Sequence, residues 1–194
     1  MTLTAAHTRQ LQPELIRIKQ ELLDARERAR RLAEGLTATS WQARPASGGW
    51  SVAECLMHLN ITSERYVPVI DEALRALRAR GLSASGPMRR DLIGWLLSTM
   101  FEPPVRIRMK APAPLRLGDR VDPMPEVLER FGYLQGELLE RLDRGDGLAL
   151  DRQRIASPVN AKVKYSLYSA FCIIAAHQRR HLWQAERVRA ALSH

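Results

Sequence analysis

Cysteine is scarce: Cys55 and Cys172 are the only two in 194 residues. Two cysteines without C-x-x-C spacing exclude a disulfide framework and a cysteine-rich zinc module, and both are expected as small apolar residues of the interior. Long apolar runs are lacking too. The longest, 92–101 and 165–176, fall short of the roughly 18 residues needed to cross a bilayer, so no membrane partner is expected. Polar Thr2, Thr4, His7 and Arg9 interrupt the N-terminal stretch where a signal peptide needs an apolar centre, which points to a cytoplasmic protein. Neither a glycine-rich phosphate loop nor a dinucleotide fingerprint is present, and the H-E-x-x-H motif of metalloprotease helices is missing.

Acidic charge is in the minority. Thirty Lys and Arg stand against 21 Asp and Glu, for a net charge of +9, and 26 of the 30 are Arg. Such a balance raises nucleic-acid binding, because cations neutralise phosphates. Here the arginines are scattered and alternate with Glu, as in ELLDARERARR, the pattern of a solvated helix face. With no aromatic RNA-binding signature and no recognition-helix pattern, specific nucleic-acid binding is not expected.

Helical periodicity is what the chain has in abundance. Leu15, Ile18, Leu22, Ala25, Ala29 and Leu32 recur every three to four residues and predict an amphipathic helix over 13–36, ended near Gly35. Ser51 and Glu54 form an S-x-x-E capping box and start a second helix that runs to about Arg80, bent at Pro68. A short helix carrying Trp95 is expected over 92–100, within a long connection whose prolines, from Pro103 to Pro125, favour extended chain. A third long helix is predicted over 125–142 and a fourth over 164–192, after a loop containing Ser157 and Pro158. Four main helices with no alternating strand pattern predict one all-α domain over 1–194, a four-helix bundle with long connections between the second and third helices and between the third and fourth. A helical face left uncovered on so small a bundle also suits a homodimer.

In HQRRH, His177 and His181 stand one helical turn apart, so both imidazoles project from one face, together with Ala170, Ile174 and Val188, while Arg179 and Arg180 point elsewhere. Spacing alone leaves two readings, a pair of metal ligands or a pair of satisfied core histidines. A metal needs a third group, and His58 is the remaining histidine away from the chain ends. Antiparallel packing of the second and fourth helices brings it toward His181. Three neutral imidazoles suit zinc, nickel, copper or iron, and leave a position open for water or substrate. Glu54, Thr62 and Gln184 lie within one turn of these histidines and are candidates to orient a ligand or a bound water. Trp50 is expected to pack over the start of the second helix and Trp183 inside the bundle.

The stretches RPASGGWSVAECLMHL, 44–59, and HQRRHLWQAERV, 177–188, resemble the DinB-like superfamily of small bacterial four-helix proteins. That resemblance implies a divalent metal, zinc or nickel foremost, held by one histidine on the second helix and an H-x-x-x-H pair on the last. These positions are His58, His177 and His181. It further implies a small-molecule substrate and a metal-dependent enzyme, foremost a transferase using a low-molecular-weight thiol such as bacillithiol, mycothiol or glutathione. Two other classes are compatible with the same ligands: a hydrolase using metal-activated water, and a non-enzymatic metal- or ligand-binding stress-response module. No residue is singled out as catalytic.

Overall fold

The computed structural model of the chain describes residues 11–46, 48–104, 112–118 and 121–192. Four long helices dominate it: α1 (Pro13–Ala33), α3 (Val52–Ala79), α5 (Met124–Arg144) and α6 (Leu167–Leu192). Two shorter ones, α2 (Ala38–Gln42) and α4 (Leu92–Phe101), and a 3-10 turn at Ala113–Leu115 lie in the connections. The sequence signals for the long helices hold within a few residues. Pro13 stands at the first turn of α1, where its missing amide costs nothing, and Gly35 past its end takes a positive φ of 73°. Pro68 lies inside α3, and α5 ends at Gly145.

One expectation is corrected. The region read as a loop before the last helix is an antiparallel hairpin, β1 (Arg154–Ser157) with β2 (Asn160–Ser166), so α6 starts at Leu167 rather than Lys164. The alternation is short: exposed and buried residues alternate along β1, and Ala161, Val163 and Tyr165 alternate with Lys162 and Lys164 along β2, where Tyr165 forms a buried cross-strand pair with Ile155. Helix α2 was also missed, being a single turn capped by Thr37 that seats the buried Trp41.

Helix α1 packs on α5 and α6, α3 packs on α5 and α6, and α4 lies along α6. As a result α6 is covered on several sides, and every residue from 167 to 178 is buried. An inward stripe is therefore too modest a description of α6, which is apolar around most of its circumference because it is buried around most of it. Most of the charge sits outside, much of it in ion pairs such as Arg28 with Glu186 and Arg30 with Glu27. No described helix is long and apolar enough to cross a membrane.

The join between α4 and α6 is close. Asp91 caps α4 by accepting from the Gly94 amide at 2.8 Å, and its own amide donates to Ser169 Oγ at 3.1 Å. A Cβ at Gly94 would lie 2.1 Å from Ser169 Oγ and 2.2 Å from Ser169 Cβ. Alanine ordinarily favours a helix over glycine by about 1 kcal/mol. Here overpacking, typically about 1–3 kcal/mol, wins, because the obstructing serine is buried and hydrogen-bonded. Gly94→Ala is therefore expected to lower the melting temperature by several degrees in a thermal melt; an unchanged or raised value would refute this packing.

Candidate metal centre

The cap of α3 fixes where His58 stands. Ser51 Oγ accepts from the Glu54 amide at 3.1 Å, and Glu54 Oε2 accepts from the Ser51 amide at 2.8 Å, which completes both arms of the capping box. From that start, helical periodicity turns Cys55, His58, Leu59 and Thr62 toward the interior, and all four are buried. On α6, His177 and His181 face α3 one turn apart and are buried as well. The antiparallel approach expected from the sequence is met, since Tyr66, further along α3, bonds Tyr165 just before α6, hydroxyl to hydroxyl at 2.6 Å.

The three imidazoles converge. Ring centroids are 4.6 Å apart for His58 and His181, 4.6 Å for His177 and His181, and 5.1 Å for His58 and His177. One ligating atom from each lies within 4.8 Å of the others. His58 Nδ1 is 3.1 Å from the carbonyl oxygen of Leu115, which can only accept, so the ring carries its proton there and turns the bare Nε2 toward His177 Nε2, 3.2 Å away. Two nitrogens sharing a tetrahedral ion at about 2.0–2.1 Å stand about 3.3–3.4 Å apart, so the spacing fits. Nδ1 of His177 and of His181 is buried without a hydrogen-bond partner. Three neutral imidazoles, each turning one ligating nitrogen toward the others, form a donor set chemically suited to a divalent cation.

Electrostatics favour the neutral, ligating form of each ring. Burial pushes His58 down to about 4, against the raising effect of the Leu115 carbonyl. Burial also holds His177 and His181 well below the usual histidine range, and nearby positive charge, from the other histidines and from Arg180, adds to this.

Aromatic walls close the site. Trp50 lies 4.7 Å from the His58 ring and stacks on His181 at 5.4 Å, while Phe101, at the end of α4, meets His177 edge-on at 5.2 Å. Trp50 thus packs where the sequence placed it and also across two of the histidines. Gly49, immediately before it, has a φ of 115° that L side chains rarely adopt.

The other candidates separate. Glu54 is committed: burial would raise its pKa, but Arg44, paired with it through both carboxylate oxygens, and the Ser51 amide outweigh this and hold it below the usual carboxylate range. Thr62 Oγ1 donates to the His58 backbone carbonyl at 2.8 Å, a bond within its own helix. Gln184 faces His181 closely enough to favour its protonated form, against the larger opposite effect of burial. Trp183 is only partly buried, under the Arg187 guanidinium at 5.1 Å, not in the bundle interior. The Leu115 carbonyl comes from the proline-rich connection, with no signal in the sequence to find it. Arg180, read as pointing away from the histidine face, is buried, with Nη1 3.4 Å from the Met100 carbonyl oxygen.

A family model of the DinB superfamily matches residues 21–185, a span that includes all three histidines. No curated protein and no solved structure matches the chain.

Proposed function

The chain belongs to the DinB superfamily, and on that basis we propose that it is a metal-dependent enzyme, with His58, His177 and His181 as the ligands, acting on a low-molecular-weight thiol. The observation that carries this reading is the convergence of three buried, neutral imidazoles, joined among the described residues by no carboxylate or thiolate. A structural zinc site more often closes with a fourth protein ligand, commonly Cys, whereas three ligands leave a position for an exogenous group. Both cysteines are spoken for elsewhere: Cys55 is in the apolar cluster with Trp41 and Leu56, and Cys172 is in the cluster around Phe171.

A divalent ion, zinc or nickel by this donor set, would supply the positive charge that keeps a thiol sulfur as its nucleophilic thiolate at neutral pH. The chain's own contribution is preorganisation. The Leu115 carbonyl fixes the tautomer and ring angle of His58, and Trp50 and Phe101 keep water from the flanks of the histidines. A hydrolase would need a group to orient the bound water, and the double engagement of Glu54 with Ser51 and Arg44 disfavours it for that task.

The test is a panel of bacillithiol, mycothiol and glutathione offered with an electrophile to metal-loaded protein. The expected result is consumption of thiol and electrophile in equal amounts, abolished by a chelator. Hydrolysis without thiol would replace this reading with the hydrolase. Tight ligand binding without turnover would replace it with the binding module.

A further inference from the structure

Helix α4 contains no charged residue, yet one side of it faces solvent. Gly94, Leu97, Ser98 and Phe101 form the inner side: Gly94 and Ser98 are buried, and Leu97 and Phe101 pack on the core cluster around Phe171. The opposite side presents Leu92, Trp95 and Leu96, which are 77%, 50% and 54% exposed, with Ile93 at their edge. Four of the seven large apolar side chains exposed among the described residues thus stand within five positions of one helix. Single exposed leucines are ordinary, whereas a contiguous apolar patch on the order of a few hundred Å² marks an interaction site.

The patch has the form of a helix seam. Leu92, Trp95, Leu96 and Thr99 follow the i, i+3, i+4, i+7 spacing at which one helix receives another. Its ends carry opposite charge, since exposed Arg89 precedes it and exposed Glu102, which also holds Arg179, follows it. Arg89 and Glu102 stand equally far along the chain from the midpoint between Trp95 and Leu96. A second α4 laid antiparallel over the first therefore brings Arg89 of each protomer toward the partner's Glu102. That is the self-complementarity a two-fold interface requires. A lipid surface suits the helix less well, because an interfacial helix presents Lys and Arg beside its apolar face and α4 has neither. We infer that α4 is a dimer interface, on which a second copy of this chain packs its own α4 antiparallel about a two-fold axis at Trp95 and Leu96. The inner side of the same helix sets Phe101 against His177, so the interface backs one wall of the metal centre. The dimer does not depend on the metal reading.

Sedimentation equilibrium of the full-length protein without a tag reads the mass. Wild type is expected at twice the 22.0 kDa of one chain at micromolar concentration. Leu96→Glu changes a position exposed in the single chain, so its helical circular dichroism is retained. It weakens the dimer at least about a hundredfold, because each copy then buries an unpaired charge at the axis. Leu92→Glu takes its place if that variant does not fold. Leu96→Cys locates the axis: a residue there meets its own copy, so mild oxidation gives an interchain disulfide. Glu140→Cys, on the exposed side of α5, stays uncrosslinked, and Cys55 and Cys172 are buried and do not compete. Arg89→Glu and Glu102→Arg each loosen the dimer, and the two together restore it. Wild type that stays monomeric at its highest soluble concentration overturns the assignment, and so does a dimer that Leu96→Glu leaves intact. Monomeric wild type that sediments with phosphatidylserine vesicles, when Leu96→Glu does not, also overturns it and gives the face to a lipid surface.

Discussion

His177→Ala protein, produced without a histidine tag, is expected to retain less than about a tenth of the metal that wild type carries. His58→Ala and His181→Ala should behave alike. Loss of a group that merely supports a ligand costs about 10- to 100-fold in metal affinity, so loss of one ligand of three is expected to cost at least the upper end of that range. Metal analysis after dialysis reads the stoichiometry, and a competition titration reads the affinity. A second readout follows from linkage. An ion binding the native state at 100 times its Kd stabilises that state by about 2.7 kcal/mol, which in a chain of this size raises the melting temperature by several degrees. Added zinc or nickel should therefore stabilise wild type and leave His177→Ala unmoved. His7→Ala is the control and should bind like wild type, since His7 lies outside the described residues and the proposed triad. Stoichiometric binding by His177→Ala would defeat the proposed ligand set.

Phe171→Ala is expected to be the most destabilising of the single substitutions considered. Phe171 is fully buried on α6, in a cluster that draws Leu15 and Ile18 from α1, Tyr66 and Ile70 from α3, and Leu138 from α5. Truncating a phenylalanine in such a place costs about 3–5 kcal/mol, through lost transfer energy and the cavity left behind. Set against a typical total of about 5–15 kcal/mol, that is a large fraction of the stability. At about 2–4 °C per kcal/mol for a domain of this size, the melting temperature falls by roughly 10 °C. Chemical denaturation with an unchanged slope would assign the loss to the native state. A loss below about 1 kcal/mol would show that α6 is not the packed centre of the fold. His177 lies under two turns further along the same helix, so the residue tests the platform of the metal centre as well as the core.

Much of this was legible in the chain alone. The capping box at Ser51 and Glu54 set the phase of α3, and with it the inward placement of His58. The H-x-x-x-H spacing put two imidazoles on one face of α6. These are local facts, fixed by a 3.6-residue period and by end effects within one turn. The hairpin over Arg154–Ser166 escaped because its strands are short: the alternation of Ala161, Val163 and Tyr165 with Lys162 and Lys164 covers only five residues and runs straight into the apolar start of α6. Trp183 was misassigned to the interior because a large aromatic is an ambiguous signal when an arginine one turn on can cover it.

What the sequence determined by itself was the set of long helices and which histidines could share a site, because periodicity, caps and residue chemistry act over a few residues. Three things were decided only by the tertiary structure. The Nε2 atoms of His58 and His177 meet at 3.2 Å, a backbone carbonyl at Leu115 sets the tautomer of His58, and Arg180 lies buried against the Met100 carbonyl rather than in solvent. Each depends on contacts between elements 57 to 119 residues apart in the chain, or on how α4 covers α6. Helical phase gives the direction in which a side chain leaves its own helix, and only packing gives what it meets there.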